Sequence, residues 1–323
     1  YEPQRDGMLL SNTWGDRSRD ARVSEDFLMK EIEAGARLGV DVVQVDDGWQ
    51  AGKSGNSAFG KGAWEDFRSA NPDFWEPHPD RFPNGLAPLV AAAAEKGMQF
   101  GLWFGPSAED EMATWEADAD LLIDYYKNDG IQYVKIDAVR MQTKRAEQNL
   151  EKMVQKVLHA SNGQLVFDPD ATAGKRPTYF GSPQVGPVFV ENRYTDWGMA
   201  AYVDPLRLRM EFLNNARNTQ KYGDDPLAPA RYQPDTLFAT VMFSSPLAWF
   251  EVSSLPASYF QQAVPLIKAW KKERAAIFSG DIIPLGQRPD GLVWTGFASV
   301  AKDRQSARLV IFREMHPAQQ WTT

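Results

Sequence analysis

The chain of 323 residues has no cysteine and only three histidines, His78, His159 and His316. The absence of cysteine excludes disulfide bonds, thiolate zinc sites and a cysteine nucleophile. Three scattered histidines are too few for a hydrolase that holds its metals through histidine. A cysteine-free chain suits the cytoplasm as well as an extracytoplasmic compartment, so the location stays open, with a periplasmic or secreted one slightly favoured.

Long apolar runs and clusters of basic residues are also missing. No run approaches the roughly 20 apolar residues of a membrane span, and the start shows no signal-peptide pattern. The net charge of -8 argues against a polyanionic partner. We therefore expect neither a membrane nor a nucleic acid as partner. Because the chain opens at Tyr1 without Met and stops just after Trp321, we expect it to be a piece of a longer protein.

Four stretches of the chain repeat one order of elements: a helix-like segment, a glycine, a short apolar strand, and then a carboxylate or a loop that holds one. The glycines are Gly39, Gly97, Gly130 and Gly163, and the strands are Val40–Val45, Met98–Phe104, Ile131–Ile136 and Gln164–Phe167. A glycine at a helix end followed by an apolar strand is typical of a βαβ unit. Several such units predict a parallel sheet, and the length fits a closed (β/α)8 TIM barrel of about 250 residues plus a small extra domain.

The remaining strands of the barrel are predicted at Met8–Trp14, Val188–Val190, Leu237–Phe243 and Leu247–Val252. Between the sixth strand and the next, the connection through Gly198 and Met199 is short, so either that unit is shortened or residues are absent there. From Gly280 the pattern changes to antiparallel β, which predicts a catalytic barrel over 1–279 and a partial C-terminal β domain over 280–323.

Carboxylates follow several of these strands, and in a barrel all strand C-termini open onto one face. Asp137 follows Lys135 at the end of the fourth strand, and a neighbouring cation favours the charged form of a carboxylate, which suits a nucleophile. Retaining glycoside hydrolysis also needs an acid about 5–5.5 Å away. Asp196 is the candidate for this acid, and Glu191 and Asp170 are its rivals.

Other polar residues at these strand ends are candidates for substrate binding. Asp46 and Asp47 can accept hydrogen bonds from neighbouring sugar hydroxyls, while Trp49 shields one face of the sugar. Arg176 and Arg193 can each donate two hydrogen bonds to a hydroxyl or a catalytic carboxylate. Taken singly, an aspartate after a strand is more often a helix cap or turn residue. The number of acids also permits a Mg²⁺ or Ca²⁺ site as an alternative, although we expect no metal or other cofactor.

Four motifs follow one another along the chain in the segments Val42–Trp49, Arg81–Leu86, Gly97–Phe104 and Tyr133–Asp137. In this order they resemble the clan of retaining α-galactosidases, with glycoside hydrolase family 36 as the closest match and family 27 as a relative. The segment Pro289–Phe297 is similar to the C-terminal β domain of that family. The resemblance implies a (β/α)8 barrel and double-displacement hydrolysis through a covalent glycosyl-enzyme.

The same resemblance implies roles for individual residues. Asp137 would be the nucleophile with Lys135 beside it, and Asp46 and Asp47 would take the hydroxyls at the far end of the sugar. Trp14 would line the pocket, and Trp103 would lie near it.

The chain departs from the family after the sixth strand. The family 36 pattern there is Ser-Asp-Asn-Thr-Asp, whose first Asp is the acid/base, and Arg193 occupies that position here. Family 27 instead has an Arg shortly before the acid/base Asp and a Trp soon after, which fits Arg193, Asp196 and Trp197. We therefore assign the acid/base to Asp196. The segment 168–177 also differs from the usual Cys/Gly-rich loop, so the exact sugar stays open.

The leading hypothesis is an exo-acting α-galactosidase whose partner is an oligosaccharide or glycoside. A second hypothesis is the same mechanism on another α-linked sugar, such as an α-N-acetylgalactosaminide or a pentoside. The residues around Asp168, Arg176 and Tyr194 would decide which sugar is accepted. A third is a barrel that binds carbohydrate without cleaving it, because the strand-six motif is broken. A metal-dependent hydrolase is the fourth. The sequence leaves the oligomeric state open.

Overall fold

A computed structural model describes residues 1–15, 19–170, 184–190, 204–216, 223–226, 228–313 and 315–321. Eight strands of this part form one parallel sheet. They are β1 (Leu10–Asn12), β2 (Val42–Val45), β3 (Gln99–Phe104), β4 (Tyr133–Ile136), β5 (Val166–Pro169), β6 (Val188–Val190), β7 (Leu208–Glu211) and β8 (Ser245–Ala248). The α-helices of the described residues are α1 (Glu25–Leu38), α2 (Phe67–Ala70), α3 (Ala87–Glu95), α4 (Glu109–Met112), α5 (Trp115–Asp124), α6 (Lys144–Ala160), α7 (Pro234–Ala239) and α8 (Ala257–Ser279). Three short 3-10 turns lie at Pro205–Arg207, Pro229–Arg231 and Val252–Ser254, and a π-helical turn at Tyr125–Asp129 follows α5.

The eight strands are arranged as a nearly closed barrel. Their order is β5-β4-β3-β2-β1-β8-β7-β6, and the two outer strands of this order meet. Asp170, just after β5, forms a parallel bridge with Phe189 of β6, and the Phe167 amide donates to the Val185 carbonyl at 2.9 Å. The structure therefore confirms the predicted (β/α)8 barrel.

The helix that follows β1 shows why the local sequence folds as it does. Ser24 caps α1 by accepting a hydrogen bond from the Phe27 amide, and acids occupy its first turn, where the helix dipole favours negative charge. The helix ends at Gly39, which has a left-handed φ of 96°. The glycines at 97, 130 and 163 also have positive φ, between 71° and 76°. All four predicted helix-ending glycines thus adopt the conformation that favours glycine.

Two apolar layers hold the barrel together. A small inner cluster lies inside the barrel and includes Leu10, Val42, Tyr133, Val166 and Leu247, from strands β1, β2, β4, β5 and β8. A much larger cluster lies between the outward strand faces and the helices, and includes Leu28 and Ile32 of α1. Both layers follow from the period of two in the strands, which sends successive side chains to opposite faces.

The seventh strand is where the prediction from sequence was wrong. The stretch Leu237–Phe243, predicted as a strand, instead holds the end of α7 (Pro234–Ala239) and the turn that follows it. The seventh strand, β7, is Leu208–Glu211. Proline suits the first turn of a helix, and the buried Leu237, Phe238 and Val241 follow helical rather than alternate spacing. The last strand is also displaced: β8 is Ser245–Ala248, and Val252 begins a 3-10 turn.

A separate three-stranded antiparallel sheet follows the barrel. It consists of β9 (Asp281–Gly286), β10 (Thr295–Val300) and β11 (Ala307–Phe312), with β10 in the centre. Phe297 stacks on Phe243 with ring centroids 6.4 Å apart, which joins the sheet to the core of the barrel. This sheet confirms the prediction that a small antiparallel β domain follows the barrel. The proposed division at 279/280 coincides with the end of α8, and the independence of the two parts stays a prediction.

None of the helices in the described ranges is long and apolar enough to span a membrane.

Glu31 provides a test of how α1 is joined to the last strand of the barrel. Its carboxylate is 2% exposed and accepts hydrogen bonds from the amides of Val252 and Ser253 at 2.8 and 3.0 Å. We expect Glu31→Ala to lower the free energy of unfolding by about 1–3 kcal/mol, because two amide donors lose their acceptor. Urea denaturation followed by tryptophan fluorescence measures this change.

Glu33→Ala is the matched control on the same helix. Glu33 is exposed and pairs with Lys96 at the surface, so its removal should change the stability by less than about 1 kcal/mol. Equal losses in the two variants would contradict the role assigned to Glu31.

Candidate active site

Polar side chains occupy the C-terminal end of the barrel. Asn12 ends β1, Asp46 follows β2, Asp137 follows β4, and Asp168 and Asp170 lie at the end of β5. Because all eight strands are parallel, their carboxyl ends meet at one face, where barrel enzymes place their active sites.

A chain of hydrogen bonds crosses the interior of the barrel just below this face. Arg209 of β7 donates from Nε to Asp168 Oδ1 at 2.6 Å, and Gln44 of β2 donates to the other Asp168 oxygen at 3.3 Å. The Gln44 carbonyl accepts from the Asn12 amide at 2.8 Å. Arg209, Asp168 and Gln44 are all fully buried. Strands on opposite sides of the barrel are therefore joined through polar groups in its core.

The chain continues upward to an ion cluster around Lys135. Asn12 also donates to Asp46 Oδ2 at 2.7 Å, and Lys135 Nζ lies 2.9 Å from the same oxygen. Lys135 Nζ is 3.2 Å from Asp170 Oδ2 and 4.4 Å from the centre of the Phe189 ring. The charge of Lys135, expected from sequence beside Asp137, is thus shared with carboxylates on β2 and β5.

Buried carboxylates and cations meet in this cluster. Asp46, Asp168 and Asp170 face the two cations Lys135 and Arg209, and each of these side chains is at most 3% exposed. Burial raises the pKa of the Asp168 carboxyl, and the positive charge of Arg209 opposes that shift. Opposite charges are thus paired inside the barrel, beneath the strand ends.

Asp137 lies above this cluster with its carboxylate held by two donors. The indole Nε1 of Trp103 donates to Oδ2 at 3.0 Å, and the Ala138 amide donates to Oδ1 at 2.6 Å. Asp137 itself is half-buried. Ala138 has a φ of 56°, a left-handed value that costs a residue other than glycine about 1–3 kcal/mol. Such local strain is frequent beside reacting groups, and here it places the amide against the carboxylate.

Asp47 anchors the long connection that follows β2. Its carboxylate is 3% exposed and accepts hydrogen bonds from the Gln50 amide at 2.6 Å and from the Ser54 hydroxyl. Burial raises the pKa of the Asp47 carboxyl from 3.8 to about 7, and the nearby charge of Asp46 adds to the shift, while Ser54 and Gln50 oppose it. Asp47 therefore titrates near neutral pH.

A second buried carboxylate holds the same connection. Asp20 accepts hydrogen bonds from the Ser57 hydroxyl and from the Ala58 amide, both at 2.6 Å. Arg81 donates to the Gly48 carbonyl at 2.7 Å and lies 3.8 Å from Asp20. The loops after β1 and β2 are thereby tied together at the rim of the barrel.

The three tryptophans expected around the pocket occupy different environments. Trp103 contacts Asp137, and Trp14 is half-buried against the inner cluster of the barrel. Trp49 is 1% exposed, donates to the Trp103 carbonyl at 2.8 Å, and packs on Trp75 and Tyr125. The structure thus corrects the expectation that Trp49 shields a sugar, because its ring is enclosed by other aromatic side chains.

Four of the expected site residues lie outside the described residues: Arg176, Glu191, Arg193 and Asp196. The short connection through Gly198 and Met199 also lies outside them. Their roles, including the choice of Asp196 as acid/base, stay predictions.

Several residues of the site were not predicted from sequence, namely Asn12, Gln44 and Arg209. Each is a polar residue at an inward position of an otherwise apolar strand, and an inward polar residue in a barrel strand needs a buried partner. That interruption of the apolar pattern was the available signal. The partner of each residue lies on another strand, so only the closed barrel identifies it.

Comparison with known proteins confirms the resemblance inferred from sequence. Residues 3–125 match the Melibiase family model. The α-galactosidase of Escherichia coli is 35% identical over 81 residues, which are 25% of this chain and 10% of that protein. The α-galactosidase Mel36A of Lactobacillus acidophilus is 30% identical over 111 residues, or 34% of this chain and 13% of that protein.

A solved structure with the same fold extends the similarity beyond these segments. It is a variant of the GH36 α-galactosidase AgaA of Geobacillus stearothermophilus in complex with 1-deoxygalactonojirimycin. It superposes with a TM-score of 0.71 at 15% identity, covering 96% of this chain and 48% of that chain. At this identity the likeness concerns the fold. The chain spans about half the length of this relative.

The raised pKa of Asp47 predicts a specific pH dependence of stability. The folded state holds a proton on Asp47 up to about pH 7, whereas the unfolded state releases it near pH 4. The contribution of Asp47 to stability is therefore present below pH 4 and is lost as the pH rises to 7. Asn resembles the protonated carboxyl, so Asp47→Asn should gain stability relative to the parent as the pH rises through this window.

Urea denaturation of the parent and of Asp47→Asn at pH 4, 5.5 and 7 measures the difference. A stability difference that stays constant across the three pH values would contradict the assignment. Asp73→Asn, at an exposed site, serves as the control and should show no such trend.

Proposed function

We propose that this chain is the catalytic part of a retaining exo-α-glycosidase that acts as an α-galactosidase on terminal α-linked sugars. The observation that carries the proposal is the position of Asp137: a half-buried carboxylate at the C-terminal end of β4, oriented by Trp103 and Ala138. The match to Melibiase over residues 3–125 supports the activity class. Raffinose bound to another variant of AgaA indicates the kind of substrate that a protein with this fold accepts.

In the first step Asp137 attacks the anomeric carbon of the terminal sugar. The bond from that carbon to the glycosidic oxygen breaks, and the acid/base gives its proton to the departing oxygen. Asp137 then carries the sugar as an ester. Two donors on its oxygens fix the direction of attack and receive no proton themselves.

In the second step water attacks the same carbon and the acid/base, now a carboxylate, takes a proton from that water. The bond to Asp137 breaks, and the sugar leaves with its original configuration. Positive charge develops on the sugar ring in both transition states.

The rest of the site supplies binding. By the resemblance, Asp46 and Asp47 would take hydroxyls at the far end of the sugar, and Trp14 would line the pocket. Asp168 is engaged by Arg209 and Gln44, so its role in this proposal is to support Gln44 and Asn12 beneath the sugar. Arg176, Glu191 and Arg193 belong to the proposed pocket through their sequence positions alone.

Chemical rescue tests the nucleophile. Asp137→Gly should reduce turnover of a nitrophenyl α-galactoside by at least about 10³-fold, because the covalent step is lost. Azide should restore turnover and release a glycosyl azide of inverted configuration, which NMR identifies. Asp73→Gly is the control. A rescued product of retained configuration, or full activity of Asp137→Gly, would exclude Asp137 as the nucleophile.

Leaving-group dependence tests the acid/base. Asp196→Ala should lower turnover of raffinose far more than turnover of a dinitrophenyl glycoside, whose leaving group needs no proton. Glu191→Ala should affect both substrates alike. If Glu191→Ala instead loses turnover of raffinose selectively, and Asp196→Ala affects both substrates alike, Glu191 is the acid/base. If the parent binds sugar but turns over no α-glycoside, the barrel binds carbohydrate without cleaving it. The specific observation behind this alternative is Arg193, which occupies the position of the family 36 acid/base.

A further inference from the structure

Trp249 lies at the C-terminal end of the last barrel strand and was not among the residues predicted from sequence. It directly follows β8, whose register on β1 pairs Leu10 with Leu247 and Ser11 with Ala248. Leu10 and Leu247 both point into the barrel, so the next inward positions on the two strands are Asn12 and Trp249. Trp249 is therefore a neighbour of the residue that holds Asp46.

The indole of Trp249 is buried with an unsatisfied donor. The side chain is 6% exposed, and within the described residues no acceptor lies within hydrogen-bonding distance of Nε1. Leaving such a donor unpaired costs about 1–3 kcal/mol. By contrast, the indole of Trp103 donates to Asp137 and that of Trp270 donates to the Met242 carbonyl at 2.7 Å. An unpaired buried donor among polar neighbours points to an acceptor that arrives with a ligand.

The surrounding structure holds the ring in place. Phe189 meets Trp249 edge to face, with ring centroids 6.3 Å apart, and Lys135 lies over the same Phe189 ring. The loop after β1 packs directly on the backbone of Trp249, since a Cβ at Gly15 would lie 1.5 Å from the Trp249 carbonyl oxygen. Packing from two sides fixes the direction of the indole before any substrate binds.

We propose that Trp249 Nε1 donates a hydrogen bond to one hydroxyl oxygen of the terminal sugar. The indole is a donor without acceptor capacity, so it needs an oxygen with free lone pairs, and a pyranose hydroxyl supplies one. This assignment rests on the proposed function and adds a sugar-recognition residue to it. Asn12 next to it has its amide nitrogen engaged by Gln44 and Asp46, so of these two neighbours Trp249 is the one with a donor to offer.

A double-mutant cycle between enzyme and substrate tests this bond. The substrates are nitrophenyl α-galactoside and its 2-, 3-, 4- and 6-deoxy analogues, and the enzymes are the parent and Trp249→Phe. Trp249→Phe should lower kcat/KM for the full substrate about 3–10-fold. For one deoxy analogue the parent and the variant should have equal kcat/KM, while the other three should keep the full loss.

Two further variants separate this role from a loss of packing. Benzothienylalanine at position 249 replaces only the N–H by sulfur and should reproduce the pattern of Trp249→Phe with an unchanged Tm. Trp294→Phe removes another unpaired indole donor, which lies against Trp321 near the small sheet, and should leave all five kcat/KM values unchanged.

The outcomes distinguish the inference from the proposed function. If the parent is active and the benzothienyl variant loses nothing, or loses equally on every deoxy analogue, Trp249 makes no such bond. If the parent hydrolyses none of the glycosides, the proposed function fails instead. In that case, calorimetry of the parent and the variants gives dissociation constants for galactose and its deoxy forms, and these test Trp249 separately. An equal loss of affinity for every sugar overturns the inference. A loss of affinity that disappears for one deoxy sugar supports it.

Discussion

The ion pair between Lys135 and Asp46 is the contact on which the rest of the site depends. Lys135 Nζ also reaches Asp170, while Asp46 accepts from Asn12, so three neighbouring parts of the barrel meet at one buried cation. Two charges removed from water stabilise a fold little, but removing one partner of such a pair costs about 3–5 kcal/mol. The pair therefore adds little to the stability of the fold. Its main effect is to fix which side chains point into the barrel and their positions along the barrel axis. The hydrogen bonds from Asn12 through Gln44 to Asp168 and Arg209 continue from this pair.

The buried hydrogen-bond chain and the groups above it have different roles in the site. Below, the carboxylates are committed to Lys135, Arg209 and the amides of Gln44 and Asn12. Above, Asp137 keeps partial exposure and is oriented by an indole and a backbone amide. The indole belongs to Trp103, whose carbonyl in turn accepts from Trp49, so the aromatic residues of the connection after β2 position the candidate nucleophile indirectly. Trp49 thus contributes to the site through packing and one hydrogen bond, rather than through a sugar-facing ring.

The stretches that were predicted well are those in which local physics decides the outcome. Ser24 caps α1 and Gly39 ends it because both preferences act within a few residues of chain. Asp137 could be placed at the mouth because it directly follows an apolar strand of a parallel barrel. The prediction failed at Leu237–Phe243, where a short apolar run fits a strand or a helix and the proline at 234 decides for the helix. It also failed to find Arg209, since β7 lies in a segment without the glycine signal that marks the earlier units.

The sequence by itself determined the class of fold, the face of the barrel at which the strand-end carboxylates meet, and the placement of Asp137, Asp46 and Asp47 at the strand ends. These follow from periodicity, from helix-ending glycines and from motifs within single strands, all of which are local. Only the tertiary structure decided the pairing. It shows that Lys135 binds Asp46 and Asp170, that Asp168 binds Arg209, and that the indole N–H of Trp249 has no acceptor among the described residues. Pairing depends on the register and closure of strands that are far apart in the chain. A polar side chain needs a particular protein partner only when burial has removed water as an alternative partner.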